Sequence, residues 1–339
     1  MQASPVTPDR PDARLREALA GLLVAPGDAS WNPLRGGVSS DIWHVRSGRD
    51  EFCVKRALPR LKVAAEWLAP VERNRYEVAW YEIAGAVAPG ATPRVRHHDP
   101  DAMLFVMDYL DPGSHVLWKD ELRDGRADAG FAAEVGRLLA TIHAATADDP
   151  EVAGRFPPND IFHAIRLEPY LEATAARHPD LRDVLFGLSE RTAATRRAMI
   201  HGDVSPKNIL VGPGGPVFLD AECACIGDPA FDLAFCLNHL LLKSLWNPAA
   251  RAGFDAAFEA LARAYLAGVR WEPVDRLEGR AASLLPGLLL ARVDGKSPVE
   301  YLTREADRDR VRRCARGLLF APPSRLDDVL AAWREARET

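Results

Sequence analysis

The sequence predicts an α+β fold with two lobes: a small N-terminal lobe built on an antiparallel sheet and a large α-helical C-terminal lobe. Two observations support this prediction. Short runs rich in β-branched and aromatic residues, bounded by turn residues, recur through residues 31–111. Across residues 112–339, apolar residues recur mostly at helical spacing. The break "DPG" at 111–113 separates the two patterns, and we place the lobe boundary there.

Composition restricts the classes of protein to which the chain can belong. The net charge is 43 − 48 = −5, so the chain lacks the basic excess of a protein that binds nucleic acid or an anionic membrane, and we expect neither partner. Five cysteines are few and odd in number, which favours free thiols and a cytoplasmic location. The N-terminus has no apolar signal core, and the most apolar run, at 281–292, is too short to cross a bilayer.

The elements of the N-terminal half follow in a consistent order. Residues 1–30 predict a Pro-rich tail and a short helix at 12–23. The runs "DIWHV" and "EFCVKRA" are joined by "RSGRD", whose Gly48 predicts the turn of a hairpin. Helical spacing then predicts a helix over 62–88, and "TPRVRHHD" and "AMLFVMDYL" predict two further strands.

The C-terminal half is predicted to be helical around one small group of strands. "FAAEVGRLLATIHAAT" at 131–146 predicts an amphipathic helix, and further helices are predicted over 229–246, 254–269 and onward to 335. The strand-like runs are "MIHGD", "NILVG" and "PVFLDAE", the last two joined by the turn "GPGGP". We expect the first two to be the strands of a hairpin with a polar turn between them.

That polar turn has the composition of a phosphoryl-transfer site. His201, Gly202 and Asp203 are followed five residues after the acid by Asn208, a spacing that in kinase catalytic loops places a base beside the nucleophile and an amide oxygen on magnesium. Asp220 and Glu222 come soon after. If they lie on one strand, positions i and i+2 share a face, and both carboxylates could aim at one magnesium–phosphate cluster. The alternative is a solvated strand end.

Candidate phosphate-binding groups precede this motif. Lys55 lies on a predicted strand and could reach the α and β phosphates of a nucleotide. An acid on the following helix would hold the lysine in place, and we favour Glu77 over Glu72 and Glu82. The turn "RGGVSS" allows backbone amides to approach phosphate oxygens. Its candidate residues are Gly36, Gly37, Ser39 and Ser40.

The motifs together resemble those of one superfamily. "HGDVSPKNIL" followed by "FLDAECACIGDPAFDLAF" is similar, nearly residue for residue, to the H-G-D-x-x-x-x-N and I-D-x-x-x-x-x-x-G-D-P-x-x-D-L-A motifs of the aminoglycoside phosphotransferase and choline kinase superfamily. Weaker N-terminal segments occur in the family's order, and the resemblance covers most of 32–245. It implies a protein-kinase-like fold with a nucleotide-binding N-lobe at 31–111 and a C-lobe at 112–339 that holds the catalytic loop and acceptor site.

The resemblance also implies roles for individual residues. Asp203 would be the catalytic base or the group that orients the hydroxyl, and Asn208 and Asp220 would bind magnesium. Lys55 would contact phosphates and Glu77 would orient it. Three residues, His201, Asp228 and Asp232, would support the loop structurally. Adenine would bind the segment Met107, Asp108, Tyr109 and Leu110.

Some positions depart from the family pattern. Ser205 stands where many relatives have His or Lys, and Lys207 stands where a small residue is common. The "DAE" at 220–222 resembles the methylthioribose kinase branch, which generally lacks Asn208.

The acceptor is expected against the C-lobe, near 239–248 or 288–303. The second stretch holds Arg292, Asp294 and Lys296, which we expect in a loop after an apolar helix. An ordinary charged loop is an equal alternative to a substrate site. Arg292 and Lys296 would oppose a cationic aminoglycoside, so a neutral or anionic hydroxylated metabolite fits them better.

The function expected is therefore a magnesium-dependent kinase that moves the γ-phosphate of ATP to a hydroxyl of a small molecule, with ATP and Mg²⁺ as cofactors. A nucleotide-binding regulatory module without transfer activity is the alternative. A protein kinase is a further alternative, but the chain has no D-F-G or A-P-E segment and little room for an activation loop.

Overall fold

The structure of the protein, a computed structural model, describes residues 11–19, 21, 23, 28–34, 40–58 and 70–338. A five-stranded antiparallel sheet lies in the N-terminal part, and helices dominate the remainder. The α+β, two-lobed fold predicted from the sequence is confirmed. Across the described part of the chain, no helix combines the length and apolar character that a membrane span requires.

The N-lobe sheet has the strand order β1-β2-β3-β5-β4, with every neighbouring pair antiparallel. The predicted hairpin is present, and Gly48 in its turn has φ +65°, a conformation that suits glycine. The first strand was not predicted. The strands are β1 (Ser30–Pro33), β2 (Ser40–Ser47), β3 (Asp50–Ala57), β4 (Val95–Asp99) and β5 (Leu104–Asp108).

The two faces of this sheet have different neighbours. Side chains alternate along a strand, so Phe52 and Val54 of β3 point to one face and Cys53 and Lys55 to the other. Phe52 and Val54 pack in a small apolar cluster with Leu15 of helix α1 (Ala13–Ala18). Cys53 belongs to the main core instead. Lys55 therefore projects toward the C-lobe.

Helix α2 (Arg73–Val87) packs on the inner side of the sheet and carries Glu77. It is shorter than the helix predicted over 62–88, because residues 71 and 72 form a turn. Residues 59–69 lie outside the described part of the chain.

The C-lobe is a set of helices around α8, whose 17 residues from Pro229 to Leu245 are all buried. Helices α4 and α9 pack closely and run in the same direction, since Gly136 meets Leu261 and Ala140 meets Gly268. A Cβ on Gly136 of α4 would lie 2.3 Å from the carbonyl oxygen of Leu261 in α9. The helices are α3 (Trp118–Arg123), α4 (Ala129–Thr146), α5 (Pro150–Arg155), a π-helix (His163–Glu172), α6 (Ala173–Ala175), α7 (Arg182–Ala194), α8 (Pro229–Trp246), α9 (Arg251–Gly268), α10 (Val274–Asp294), α11 (Glu305–Phe320) and α12 (Leu326–Glu338).

The polar motif lies between two small sheets. The prediction that the strands on either side of it pair as a hairpin is wrong. The strand before the motif, β7, pairs with β10, whereas the strand after it, β8, pairs with β6 and β9. The motif therefore bridges two sheets, which fixes both of its ends. The strands are β6 (Val116–Leu117), β7 (Ala198–Ile200), β8 (Ile209–Gly212), β9 (Gly215–Phe218) and β10 (Cys225–Gly227).

Two local expectations also fail. Strand β9 ends at Phe218, and Asp220 has φ +65°, so the argument that Asp220 and Glu222 share the face of one strand is wrong. The chain turns there because the left-handed backbone of Asp220 breaks the strand geometry. Helix α10 continues to Asp294, so Arg292 and Asp294 lie in its last turn and not in a loop.

We expect Gly136→Ala to destabilise the fold, because the added methyl group would collide with rigid backbone of α9. Overpacking of this kind costs about 1–3 kcal/mol or more. Gly187→Ala on α7 is the matched control, since nothing lies within 4 Å of its Cβ position. The control should be neutral or stabilising by up to about 1 kcal/mol. Urea denaturation of both variants measures the difference, and equal stabilities would contradict the close packing.

Candidate active site

The catalytic loop brings its acid and its amide together. Asn208 Nδ2 donates hydrogen bonds to Asp203 Oδ2 at 2.8 Å and to the Asp203 carbonyl oxygen at 3.1 Å. A short 3₁₀ turn at Pro206–Asn208 folds the chain back to make this contact. Because the amide nitrogen is used in this way, the Asn208 side-chain oxygen remains as an acceptor or ligand.

His201 supports the loop from beneath. The ring accepts a hydrogen bond at Nδ1 from the backbone N–H of Asp203, 3.1 Å away, and Nε2 donates to the carbonyl oxygen of Leu219, 3.0 Å away. Burial lowers the pKa of His201, so the ring is neutral and the two bonds fix its tautomer. His201 therefore connects the catalytic loop to the end of β9.

Asp232, in the first turn of α8, holds the backbone of the same loop. Its two carboxylate oxygens accept from the N–H groups of His201 at 2.7 Å and Gly202 at 2.8 Å. His143 Nε2 lies 3.3 Å from the same carboxylate. Gly202 has φ +75°, and a Cβ there would lie 2.8 Å from the Cys223 side chain, so the loop needs glycine at this position.

Asp228 fixes the start of α8. Its side chain accepts the N–H of Ala230 at 3.0 Å, which is an N-cap bond. Arg280 of α10 donates to both oxygens of Asp228 at 2.9 Å. Asp228 is thus tied to helix structure and lies outside the group around Asp203.

Lys55 lies between two carboxylates from different parts of the fold. Its ammonium is 2.7 Å from Glu77 Oε1 and 2.5 Å from Asp220 Oδ1. Burial by itself would lower the pKa of Lys55, but the charges of Asp220 and Glu77 outweigh burial and raise it, so the group is charged. Burial raises the pKa of Glu77 to about 7, against the opposing charge of Lys55. The rival acid Glu82 pairs instead with Arg155 at 2.5 Å.

Tyr81 was not singled out from the sequence, yet it completes this network. Its hydroxyl donates to Glu77 Oε1 at 3.0 Å and accepts the backbone N–H of Asp220 at 2.8 Å. Tyr81 and Glu77 are four residues apart on α2 and therefore share a face. That i, i+4 spacing was the available signal. The bond to Asp220 helps hold its left-handed backbone, which directs the carboxylate toward Lys55.

Glu222 does not lie beside Asp220. Its carboxylate is 3.0 Å from Nε of Arg73, a buried residue at the start of α2. Arg73 also donates to the carbonyl oxygens of Leu58 at 2.7 Å and Pro70 at 2.9 Å. Glu222 therefore joins the C-lobe to the N-lobe through an arginine.

Arg166 is the main site residue that sequence reasoning missed. Its Nη2 lies 2.7 Å from Asp203 Oδ2, and its Nε donates to the carbonyl oxygen of Gly202 at 2.7 Å. It comes from the π-helix, in which Pro169 interrupts α-helical bonding. No local motif marks Arg166, so the sequence offered no signal beyond a charged residue in an apolar stretch.

The charge at Asp203 follows from these contacts. Burial by itself would raise the pKa of Asp203, but Arg166 and Lys207 outweigh it and hold the pKa below its ordinary value. Lys207 Nζ lies 3.2 Å from Asp203 Oδ2, with a side chain 56% exposed. Ser205 is buried, and its hydroxyl has no partner among the described residues.

The remaining nucleotide-site predictions fall in two groups. Gly36, Gly37 and Ser39 lie outside the described residues, and Ser40 is buried at the start of β2. Beyond β5, the segment that includes Tyr109 and Leu110 connects the lobes. The Tyr109 ring stacks on His44 of β2, with ring centroids 3.7 Å apart.

The side chains of Met107 and Asp108, at the end of β5, lie in different environments. Met107 is buried in the main core. Asp108 pairs with Arg96 at 2.6 Å and with Arg94 at 3.4 Å, near the surface. A contribution of Asp108 to adenine binding would therefore come from its backbone.

The three residues proposed to bind the acceptor, Arg292, Asp294 and Lys296, have different partners. Asp294 accepts from His178 at 2.9 Å and from Arg312 at 2.8 and 2.9 Å. Lys296 pairs with Glu168 at 2.5 Å. Arg292 is also buried, and its Nη1 donates to the hydroxyls of Tyr170 at 3.1 Å and Ser297 at 3.0 Å.

Hard oxygen ligands for a divalent cation are present in this site, although the described residues contain no group of three or more His, Cys, Asp or Glu arranged for a metal. Asp220 is ionised, since Lys55 and Lys207 overcome the effect of burial and lower its pKa. With the Asn208 amide oxygen, it supplies the donor type that Mg²⁺ prefers when phosphates complete the shell.

Comparison with known proteins decides the family. The model of the phosphotransferase enzyme family matches residues 30–272, well over half of the chain. The chain belongs to this family. Methylthioribose kinase of Pectobacterium atrosepticum is 28% identical in an alignment of 242 positions that covers 62% of this chain and 59% of that protein. The enzyme of the same name from Yersinia enterocolitica is 27% identical over 237 residues, with the same coverage.

The match to these curated relatives is partial, because the chain spans 59% of their length. Solved structures support the fold. A choline/ethanolamine kinase family protein from Mesorhizobium loti aligns over 95% of this chain and 98% of its own, with a TM-score of 0.53 and 19% identity. Plasmodium vivax ethanolamine kinase aligns over 96% and 86%, with a TM-score of 0.54 and 12% identity. The protein is thus a member of the phosphotransferase enzyme family with a protein-kinase-like fold.

We expect Asp232→Asn to destabilise this phosphotransferase by about 2–3 kcal/mol. The amide keeps one oxygen but turns its NH₂ group toward a backbone N–H, which leaves a buried donor unpaired. Asp183→Asn, at an exposed position in α7, is the control and should change stability by less than about 0.5 kcal/mol. Chemical denaturation provides the measurement. A loss at Asp232 no larger than the control would show that the loop does not depend on this carboxylate.

Proposed function

We propose that the protein transfers the γ-phosphoryl group of ATP to a hydroxyl of a small molecule, with Mg²⁺ as cofactor and Asp203 at the acceptor oxygen. The observation that carries this proposal is the pairing of Asp203 with Asn208 in one loop while Lys55 bonds Asp220 and Glu77 beside it. Family membership supports it, because the relatives are named as small-molecule kinases. ATP use, acceptor and metal are parts of the proposal for this chain.

On the nucleotide side, Lys55 would contact the α and β phosphates. Glu77 and Tyr81 hold its ammonium at a fixed place, so little side-chain freedom is lost when a nucleotide binds. The adenine would bind backbone groups of Met107–Leu110, at the connection between the lobes.

On the acceptor side, Asp203 would accept a hydrogen bond from the attacking hydroxyl. Because Arg166 and Lys207 keep its pKa low, Asp203 is a weak base toward a neutral alcohol. We therefore assign it first to orientation of the hydroxyl. It receives the proton as the new P–O bond forms and the bond to the β-γ bridging oxygen breaks, and ADP leaves with the negative charge. Lys207, on the exposed side of Asp203, is placed to contact the transferred phosphoryl group.

Asn208 and Asp220 would hold Mg²⁺ through their side-chain oxygens. The ion would neutralise charge on the β and γ phosphates when bound. Glu222 as a third ligand stays a prediction, and it would have to share its carboxylate with Arg73. His201, Asp228 and Asp232 act on the loop and helix that carry these groups.

Asp203→Asn should lower kcat by about 10²- to 10⁴-fold while ATP binding is largely kept, because the amide cannot accept the proton. The assay measures ADP release with a panel of small hydroxylated acceptors, and calorimetry measures binding of ATP with Mg²⁺. Asp183→Asn is the matched control and should keep wild-type turnover. Wild-type turnover in Asp203→Asn would refute its role. ATP binding without product from any acceptor would favour the regulatory module.

Arg166→Met should move the acidic limb of the kcat/KM profile to higher pH by about 1 unit. The reason is that Arg166 lowers the pKa of Asp203, so without its charge Asp203 becomes protonated at higher pH. Arg166→Lys keeps the charge and should largely restore the limb. Arg182→Met, an exposed arginine that stacks on Phe186, is the control. An unshifted limb in Arg166→Met would show that Arg166 has only a structural role.

A further inference from the structure

One face of α8 continues away from Asp203 and carries aromatic and basic side chains. Phe235, His239 and Lys243 recur at intervals of four residues, so they share this face. The guanidinium of Arg166 lies 5.9 Å from the Phe235 ring centroid, and the His239 ring contacts Phe235 at 5.4 Å between centroids. This run of contacts leads from the catalytic acid into the C-lobe.

The opposite wall comes from the π-helix and the end of α10. Tyr170 lies 5.6 Å from Phe235 between ring centroids, and Arg292 both donates to the Tyr170 hydroxyl and lies over its ring. Lys207, at the mouth, is already beside Asp203. We call the cluster formed by Lys207, His239, Lys243, Arg292 and Tyr301 the basic pocket.

Lys243 occupies an unusual environment in this pocket. Its ammonium lies 4.7 Å from the Trp246 ring centroid and 4.6 Å from that of Tyr301, and these two rings stack on one another 4.9 Å apart. Aromatic rings around a cation are the arrangement by which proteins bind quaternary ammonium ligands. Here the lysine of the chain itself fills that position, so an external cation cannot use it.

Two buried cations of the pocket have no counter-ion. The Lys243 side chain and that of Arg292 are only 5% and 9% exposed, and among the described residues neither has a carboxylate within ion-pair distance. The Nη1 of Arg292 donates to Ser297 and Tyr170, which are neutral, while the Nε of Arg292 and the hydroxyl of Tyr301 have no hydrogen-bond partner among those residues. Buried charges and polar atoms without partners are costly, so the arrangement implies that an external anion completes it.

Nearby acids do not cancel this positive charge. Asp203 is shared between Arg166 and Lys207, and Asp294 is bonded to Arg312 and His178. Burial lowers the pKa of Lys243 to about 8, an effect that exposed Glu300 opposes and Lys119 strengthens. Burial together with Arg292, Lys243 and Lys207 also lowers the pKa of His239.

We propose that the acceptor is an anionic alcohol, a hydroxylated molecule whose carboxylate or phosphate group binds Lys243 and Arg292 while its hydroxyl reaches Asp203. This inference rests on the proposed function and specifies its substrate class. Lys243 and Arg292 are specificity-determining residues. They favour an anionic group and, with the ring pair filled, exclude choline-like and aminoglycoside-like cations.

The test uses acceptors that share a skeleton and differ in charge. One trio is gluconate, glucitol and 1-amino-1-deoxyglucitol, another is glycerate, glycerol and 3-aminopropane-1,2-diol, and ribose 5-phosphate against ribose provides the phosphate arm. Coupled ADP release with the wild-type protein should give kcat/KM at least about tenfold higher for an anionic member than for its neutral and amine counterparts. A preference for the amine members would overturn the inference while leaving phosphoryl transfer itself established.

Substitutions test whether the preference for anionic acceptors comes from the basic pocket. Lys243→Met and Arg292→Met should raise KM for the anionic acceptor about tenfold and change kcat less than threefold, because they remove ground-state binding. Lys243→Arg keeps the charge and should restore most of the affinity. Arg182→Met is the matched control for Arg292→Met. Unchanged KM in both methionine variants would overturn the assignment.

A measurement without any acceptor separates the pocket from the enzyme. Trp246 is partly exposed at the pocket, and its emission is isolated by comparison with Trp246→Phe. Iodide should quench this emission several-fold more than caesium, and Lys243→Met should reduce the difference. Equal quenching, or stronger quenching by caesium, would refute a positive pocket. If no acceptor is phosphorylated but iodide is favoured, the proposed function fails and the anion site stands.

Discussion

The ammonium group of Lys55 is bonded to two carboxylates from distant parts of the chain, and the arrangement of the whole site depends on this contact. Glu77 belongs to α2 of the N-lobe, and Asp220 follows the last strand of a small C-lobe sheet. Tyr81 adds a second link, because its hydroxyl bonds both carboxylate-bearing segments. A buried charge is stable only when its partners are correctly placed, because loss of a partner leaves its desolvation uncompensated. The lobes are therefore positioned by electrostatics as well as by apolar packing.

Much of this arrangement could be predicted from the sequence. The spacing of Asp203 and Asn208 predicted that both belong to one loop, in which they are 2.8 Å apart, and the choice of Glu77 among three acids matches the residue that bonds Lys55. These predictions worked because turn chemistry and helix periodicity are local. The strand pairing around the catalytic loop was wrong, since the partner of a short strand is decided by tertiary packing and not by its neighbour in the chain. Asp220 likewise lies in a turn because of bonds that no local pattern encodes.

The residues that were missed share one property. Arg166 and Tyr81 act through partners that are distant in sequence, and Lys243 was included only as one position of the candidate stretch 239–248 and not singled out. A lysine in a helix is usually solvated. Only the fold shows that Lys243 is enclosed by two rings and has no acid beside it. A shared fold does not determine the acceptor, so the C-lobe wall is where proteins of this fold can diverge while the phosphate-handling groups remain alike.

The π-helix that carries Arg166 has a consequence for how this wall can change. Its bonds span five residues instead of four, so each turn of the segment holds more residues than a turn of α-helix. Each residue of an α-helix advances the side-chain direction by about 100°. Loss of one residue would therefore restore regular winding and swing Arg166 away from Asp203 without any substitution. A deletion in this segment would therefore change the pKa of Asp203 in the same direction as a substitution of Arg166 itself.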